Sequence, residues 1–214
     1  MKKRLIILFI TFSALTGTVR AQDLEPKMQS VFEACVQMQT AIGSGSNSGL
    51  RAASKMLKEC DPRPFTTIRI CGNELSLDGH FIFDYEFADS LIENRNVYDF
   101  AQRYADRFAM RSTSSTPGSV FTKTCLVEGK SSIKFTITSR GHQELAFVTE
   151  PGGNITIRIH DTTNDNWYND TEAVRGGKST RIAVFDLPTQ SVCTLEVEVI
   201  NRSKENISFV VIGN

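Results

Sequence analysis

Histidine is scarce in this 214-residue chain: His80, His142 and His160 are the only candidates for a histidine general base. There is no G-x-S-x-G elbow, no H-E-x-x-H pair and no recognised signature around a catalytic cysteine, so the usual nucleophile and metallohydrolase machineries are not written here. Gly152-Gly153 and Gly176-Gly177 are turn glycines rather than phosphate loops. The 24 acids single out no glycosidase pair. Charge of one sign is also lacking, with 24 basic and 24 acidic residues, and no basic stripe offers itself to nucleic acid. Long apolar runs are missing too. The stretch Leu5–Leu15 is eleven residues, against the roughly 20 a bilayer core requires.

What the chain does have begins at its first residue. Lys2, Lys3 and Arg4 precede the apolar run, and Val19-Arg20-Ala21 closes it in small-x-small style. That is the pattern of a signal peptide over 1–21 cleaved near Ala21, and it implies a secreted or periplasmic protein with no transmembrane anchor after cleavage. The short basic region and Gln22 start have a bacterial look. Cleavage removes four bases and no acid, leaving 20 bases against 24 acids, a net of −4.

Export makes disulfides the default for Cys35, Cys60, Cys71, Cys125 and Cys193. No two are spaced C-x-x-C, and an odd count leaves one thiol over. Apolar residues at Leu24, Met28, Val31, Phe32, Cys35, Met38 and Ile42 predict an amphipathic helix, with Pro26 in its first turn. Gly43 to Gly49 interrupts it, and Leu50, Ala53, Met56, Leu57 and Cys60 predict a second helix that Asp61-Pro62-Arg63-Pro64 stops. A hairpin of the two brings Cys35 and Cys60 to similar heights, so a Cys35–Cys60 bridge is expected as a staple. Asp78-Gly79 predicts a β-hairpin, with Phe81, Phe83, Tyr85 and Phe87 on one face, either a stacking platform or the cover of the helical hairpin. Helical spacing returns over Asn96–Met110.

Arg111 to Gly118 is small, polar and ends in Pro-Gly, which predicts a linker over 111–118 between a helix-rich domain at 22–110 and a second domain at 119–214. The second part alternates apolar and polar residues, as in Ile133–Thr138, Asn154–His160 and Leu195–Val199. Each such strand has one greasy and one wet face, and the greasy faces must bury against each other. About seven strands are expected, near 119–127, 132–138, 143–149, 154–160, 180–186, 193–200 and 206–212. The fold class is therefore α+β, a helical part followed by an antiparallel sandwich. Cys125 on the first strand and Cys193 on the sixth form the second expected bridge, which leaves Cys71 as the free thiol.

The run Ile155–Asn214 resembles the β-sandwich of bacterial pre-peptidase C-terminal domains. The resemblance rests on an alternating strand ending in Asp161, an Asn/Asp-rich loop, Phe185-Asp186-Leu187-Pro188, and the closing Val197-Glu198-Val199-Ile200-Asn201 and Phe209-Val210-Val211-Ile212-Gly213-Asn214. It covers under half the chain. It implies a sandwich in a secreted setting and leaves activity open; the chain departs from the family in carrying no attached peptidase.

The densest polar cluster runs from Asp161 to Asp170. Asp161, Asp165 and Asp170 are candidate Ca²⁺ ligands by donor type, although neither a turn glycine nor a closing Glu gives an EF-hand. The alternative is an ordinary Asx-rich turn. The same stretch carries the only Trp: Trp167 beside Tyr168, with Asn164 and Asn166, is a candidate ligand-binding set for a sugar ring or a peptide side chain, unless Trp167 folds back to cap the core. These readings converge on a non-catalytic module that binds a protein, peptide or glycan of the cell envelope through sandwich end loops. Two alternatives stand beside it: a thiol-dependent enzyme or covalently tethered factor using Cys71, conceivably with His80, and a structural envelope component.

Overall fold

The computed structural model describes residues 25–96, 100–110, 118–169, 182–187 and 192–214. The expected signal peptide, all of the expected linker except Gly118, and Asp170 lie outside the described residues. Helix α1 (Pro26–Ser44) starts on its proline and ends on Gly45 at φ 66°, whose N–H returns to Ile42. The expected break at 43–49 shrinks to two residues. Ser46 caps α2 (Asn47–Cys60) by accepting from the Gly49 N–H. Gly49 is required there, since a Cβ would stand 2.8 Å from that of Ala41 where the helices cross.

Two short strands follow, β1 (Arg63–Pro64) and β2 (Arg69–Cys71), then α3 (Tyr85–Ile92) and α4 (Phe100–Met110). The expected hairpin at Asp78-Gly79 forms only its turn, with the His80 N–H donating to Leu77 O. Phe81, Ile82 and Phe83 are consecutive, all buried and outside any strand. Asp84 then caps α3 through the Glu86 N–H. Phe81, Phe83 and Phe87 are core rather than platform, in edge-on contact at 4.5–5.5 Å between centroids. Asp89 clamps α3 to α2 by accepting from Ser54 Oγ and Lys58 Nζ.

The remaining strands are β3 (Phe121–Val127), β4 (Ser132–Arg140), β5 (Gln143–Thr149), β6 (Ile155–Asp161), β7 (Asn166–Asn169), β8 (Ile182–Leu187), β9 (Val192–Asn201) and β10 (Ile207–Gly213). They form two five-stranded sheets, in the orders β1-β3-β10-β5-β8 and β2-β4-β9-β6-β7. All pairings are antiparallel except β1 with β3. The fold is thus α+β with a sandwich, as the sequence predicts.

The layering adds something the alternation does not contain. Phe147, Phe209, Val211, Ile157, Leu195 and Val199 fill the space between the sheets. Ala146, Val148, Val210 and Ile212, on the other face of the first sheet, pack with α1–α4 in a second core. Strands β5 and β10 are accordingly buried at every position, the signature of a sheet covered on both sides. The stretches on either side of the expected boundary therefore share cores, and β1 and β2 from the first join one sheet each.

No disulfide joins the expected pairs. Cys35, Cys60, Cys71 and Cys125 are thiols. The helical hairpin is no freestanding element in need of a staple, because α1 lies directly on β5 and β10. Cys125 and Cys193 instead supply small apolar groups to the inter-sheet core.

Candidate functional site

The second sheet has one face on the core and the other open to solvent. Along β6, Ile155, Ile157 and Ile159 point inward, while Thr156, Arg158 and His160 point out. Strand register then sets the outward residues in rows. One row runs Cys71, Lys134, Glu198, Arg158, and the next runs Arg69, Thr136, Glu196, His160, Trp167. Lys134 Nζ and Arg158 lie 3.5 and 3.8 Å from the two oxygens of Glu198.

At the β7 edge the Trp167 indole stacks on the imidazole of His160, 4.2 Å between centroids and 6° from parallel. The same imidazole is 2.9 Å from Asp165 through Nε2 and 3.9 Å from Glu196 through Nδ1. His160 is thus held from three sides, and it holds the indole in turn. Trp167 remains 59% exposed, and Val192 is the only other large hydrophobic exposed to a comparable degree among the described residues.

Toward the far end of β9 the face falls into a depression of about 680 Å³ lined by Lys130, Ser131, Ser132, Glu198, Ile200, Asn201 and Arg202. Its walls are fixed by buried Asn201, whose amide donates to Val127, Glu128 and Glu205 carbonyls and whose carbonyl accepts from Ser203. Gly129 permits the close approach of those loops, since a Cβ there would lie 2.0 Å from Lys204 O.

This geometry divides the residues expected to act together. Trp167 and Tyr168 are neighbours on strand β7, so they face opposite ways: Trp167 outward, Tyr168 against the inter-sheet core. They lie on the sheet face rather than on an end loop. Asn164 serves Asp161, donating to it from both its backbone N–H and its side-chain amide, and Asn166 is an exposed strand residue opposite Asp161.

Of the expected calcium ligands, the two that are described, Asp161 and Asp165, do not converge. Asp161 is buried and engaged by Thr163 N–H and Asn164. Its burial would raise its pKa, but those hydrogen bonds and the nearby His160 outweigh it and hold the carboxyl below its ordinary range. Asp165, at φ 53°, turns to the opposite side to meet His160. The cluster is an Asx turn closing the β6–β7 hairpin, and among the described residues no three metal-binding side chains group together.

Cys71 is exposed on the edge strand β2 opposite Lys134. Cys35 and Cys125 are buried, and burial pushes both thiols up, Cys125 to about 12. The periodicity of β4, β6 and β9 already marks Lys134, Arg158, Glu196 and Glu198 as outward-facing. Their assembly with Trp167 depends on strand order, which local pattern does not carry.

No protein-family model and no curated protein matches this chain. Among solved structures it is similar to the pre-peptidase C-terminal domain of collagenase from Bacillus anthracis, over 44% of this chain and 87% of that one, at 12% identity and a TM-score of 0.33. It is also similar to PliG of Salmonella Typhimurium, a periplasmic inhibitor of g-type lysozyme, over 48% and 93%, at 9% identity and a TM-score of 0.32. A family 29 carbohydrate-binding module is similar over 44% and 70%, at 9% identity and a TM-score of 0.29. The kind of domain that the sequence resembles thus recurs among the structural likenesses. Scores this low carry nothing about what the chain binds.

Proposed function

We propose that this chain is an exported, non-catalytic binding module that recognises a protein, peptide or glycan of the cell envelope through the open face of its second sheet, centred on Trp167. One observation carries the reading: a large aromatic ring left more than half exposed yet held flat against His160. Exposed indole is a loss for a soluble fold, and a ring pre-oriented by stacking loses little further freedom on binding. Export rests on the Lys2–Arg4, Leu5–Leu15 and Val19–Ala21 pattern. Capture of envelope material by the wild-type chain and by Trp167→Ala tests the proposal. Loss of capture with a melting temperature shifted by no more than about 2 °C supports it, and undiminished capture by the variant refutes it.

Cys71 favours a second reading, a factor tethered through its thiol. It is the one cysteine exposed to solvent, and it lies on an edge strand.

A further inference from the structure

We infer that the ligand of this face is a neutral glycan chain several sugar rings long, running from Trp167 to the depression at Lys130 and Arg202; the inference rests on the binding-module reading above. The first reason is charge. On the face itself Arg69, Lys134 and Arg158 are balanced by Glu196, Glu198 and Asp165, and signs alternate from strand to strand along the Lys134, Glu198, Arg158 row. Within these sheet rows a polyanion or polycation would meet as many like charges as opposite ones, and the two further cations, Lys130 and Arg202, stand only at the depression end. A hydroxyl-rich uncharged ligand meets donors and acceptors side by side at the strand spacing of about 4.8 Å.

The second reason is the platform. The exposed face of an indole accepts the apolar face of a sugar ring, with Glu196 and Asp165 beside it to accept from hydroxyls. The third is what the face does not offer. Strands β4, β9 and β6, which make up the middle of the face, are paired on both sides, so a chain crossing from Trp167 to the depression lies over strands that offer no backbone edge to a peptide strand. A protein partner wants an apolar centre, and among the described residues the two exposed large hydrophobics, Trp167 and Val192, are set apart, Val192 lying four residues along β9 from the Glu196 that Trp167 reaches through His160. Trp167 pairs through His160 with Glu196, and the depression centres four residues further along β9 at Ile200. Strand geometry makes the span roughly 17 Å, which calls for an extended chain rather than a single ring.

Trp167 is the only tryptophan, so its fluorescence reports this site alone. The experiment titrates the full chain with neutral hexasaccharides of glucose, mannose, xylose and N-acetylglucosamine, with an oligogalacturonate of equal length, and with envelope extract split into periodate-treated and protease-treated halves. The expected result is an emission change with a neutral hexasaccharide or with the protease-treated half, retained in high salt and abolished by periodate. Affinity should fall more than tenfold for the matching disaccharide, and Arg202→Ala should remove the advantage of the longer chain. A response that survives periodate but not protease overturns the glycan and leaves the binding module standing. Binding confined to oligogalacturonate and lost in salt overturns neutrality. No emission change with any of these overturns the glycan together with the Trp167 site.

Discussion

At the scale of single residues, the division between Trp167 and Tyr168 is the most informative feature of the chain. They differ by one position and therefore by one sheet face, so the same truncation has opposite consequences. Tyr168→Ala removes a ring packed on the inter-sheet core and is expected to destabilise the fold by about 2 kcal/mol. Trp167→Ala costs about 0.5 kcal/mol, the lost stacking on His160 offset by the removal of exposed apolar surface. Denaturant melts of the two variants check the contrast. Glu150 gives a pH-dependent case. Burial raises its carboxyl pKa above the ordinary 4.5, partly offset by the hydrogen bond it accepts from Ser208 N–H. Ionisation is thus penalised in the folded state: the penalty is absent below 4.5 and complete above the folded-state pKa. Glu150→Gln keeps the acceptor and removes the charge. It should melt higher than the parent at neutral pH and level with it in acid.

At the scale of elements, burial on one or both faces decides what a strand tolerates. Ile212 on β10 has the helices over it, and Ile212→Ala is expected to cost about 3 kcal/mol. Thr136 on β4 belongs to the open face, and Thr136→Val should leave stability within about 0.5 kcal/mol. The contrast, read by chemical denaturation, tests the layer order directly. The thiols follow the same logic. Brief alkylation of the native chain should modify Cys71 on its exposed edge strand first, and leave Cys35 and Cys125 protected until unfolding, as read by peptide mass spectrometry. A protected Cys71 would end the tethered-factor reading.

At the scale of the molecule, the helices are a third layer rather than an appended domain. A fragment of residues 119–214 would expose Ala146, Val148, Val210 and Ile212 and would lack the β1 and β2 partners of β3 and β4. It is expected to bind a hydrophobic dye and to lose the cooperative melt of the full chain. A fragment that melts cooperatively and binds no dye would restore the two-domain division expected from the Pro-Gly stretch at 117–118.

Helices α1, α2 and α4 and most strands were legible from the sequence, because hydrophobic period is a local property: β5 coincides with the expected 143–149. So was the inward or outward sense of the residues along β4, β6 and β9, which follows from alternation alone. The tertiary structure decided what each face meets. Val148 and Val210 are apolar whether a sheet or a helix covers them, so no local pattern distinguishes a two-layer from a three-layer packing. Trp167 could cap the core or stand in solvent, and it stands in solvent because the four-residue turn 162–165 brings β7 back beside β6 and sets the indole opposite His160. Periodicity determines which side of a strand is greasy; only the order in which strands pair, a contact between residues distant in sequence, determines which polar sides become one surface.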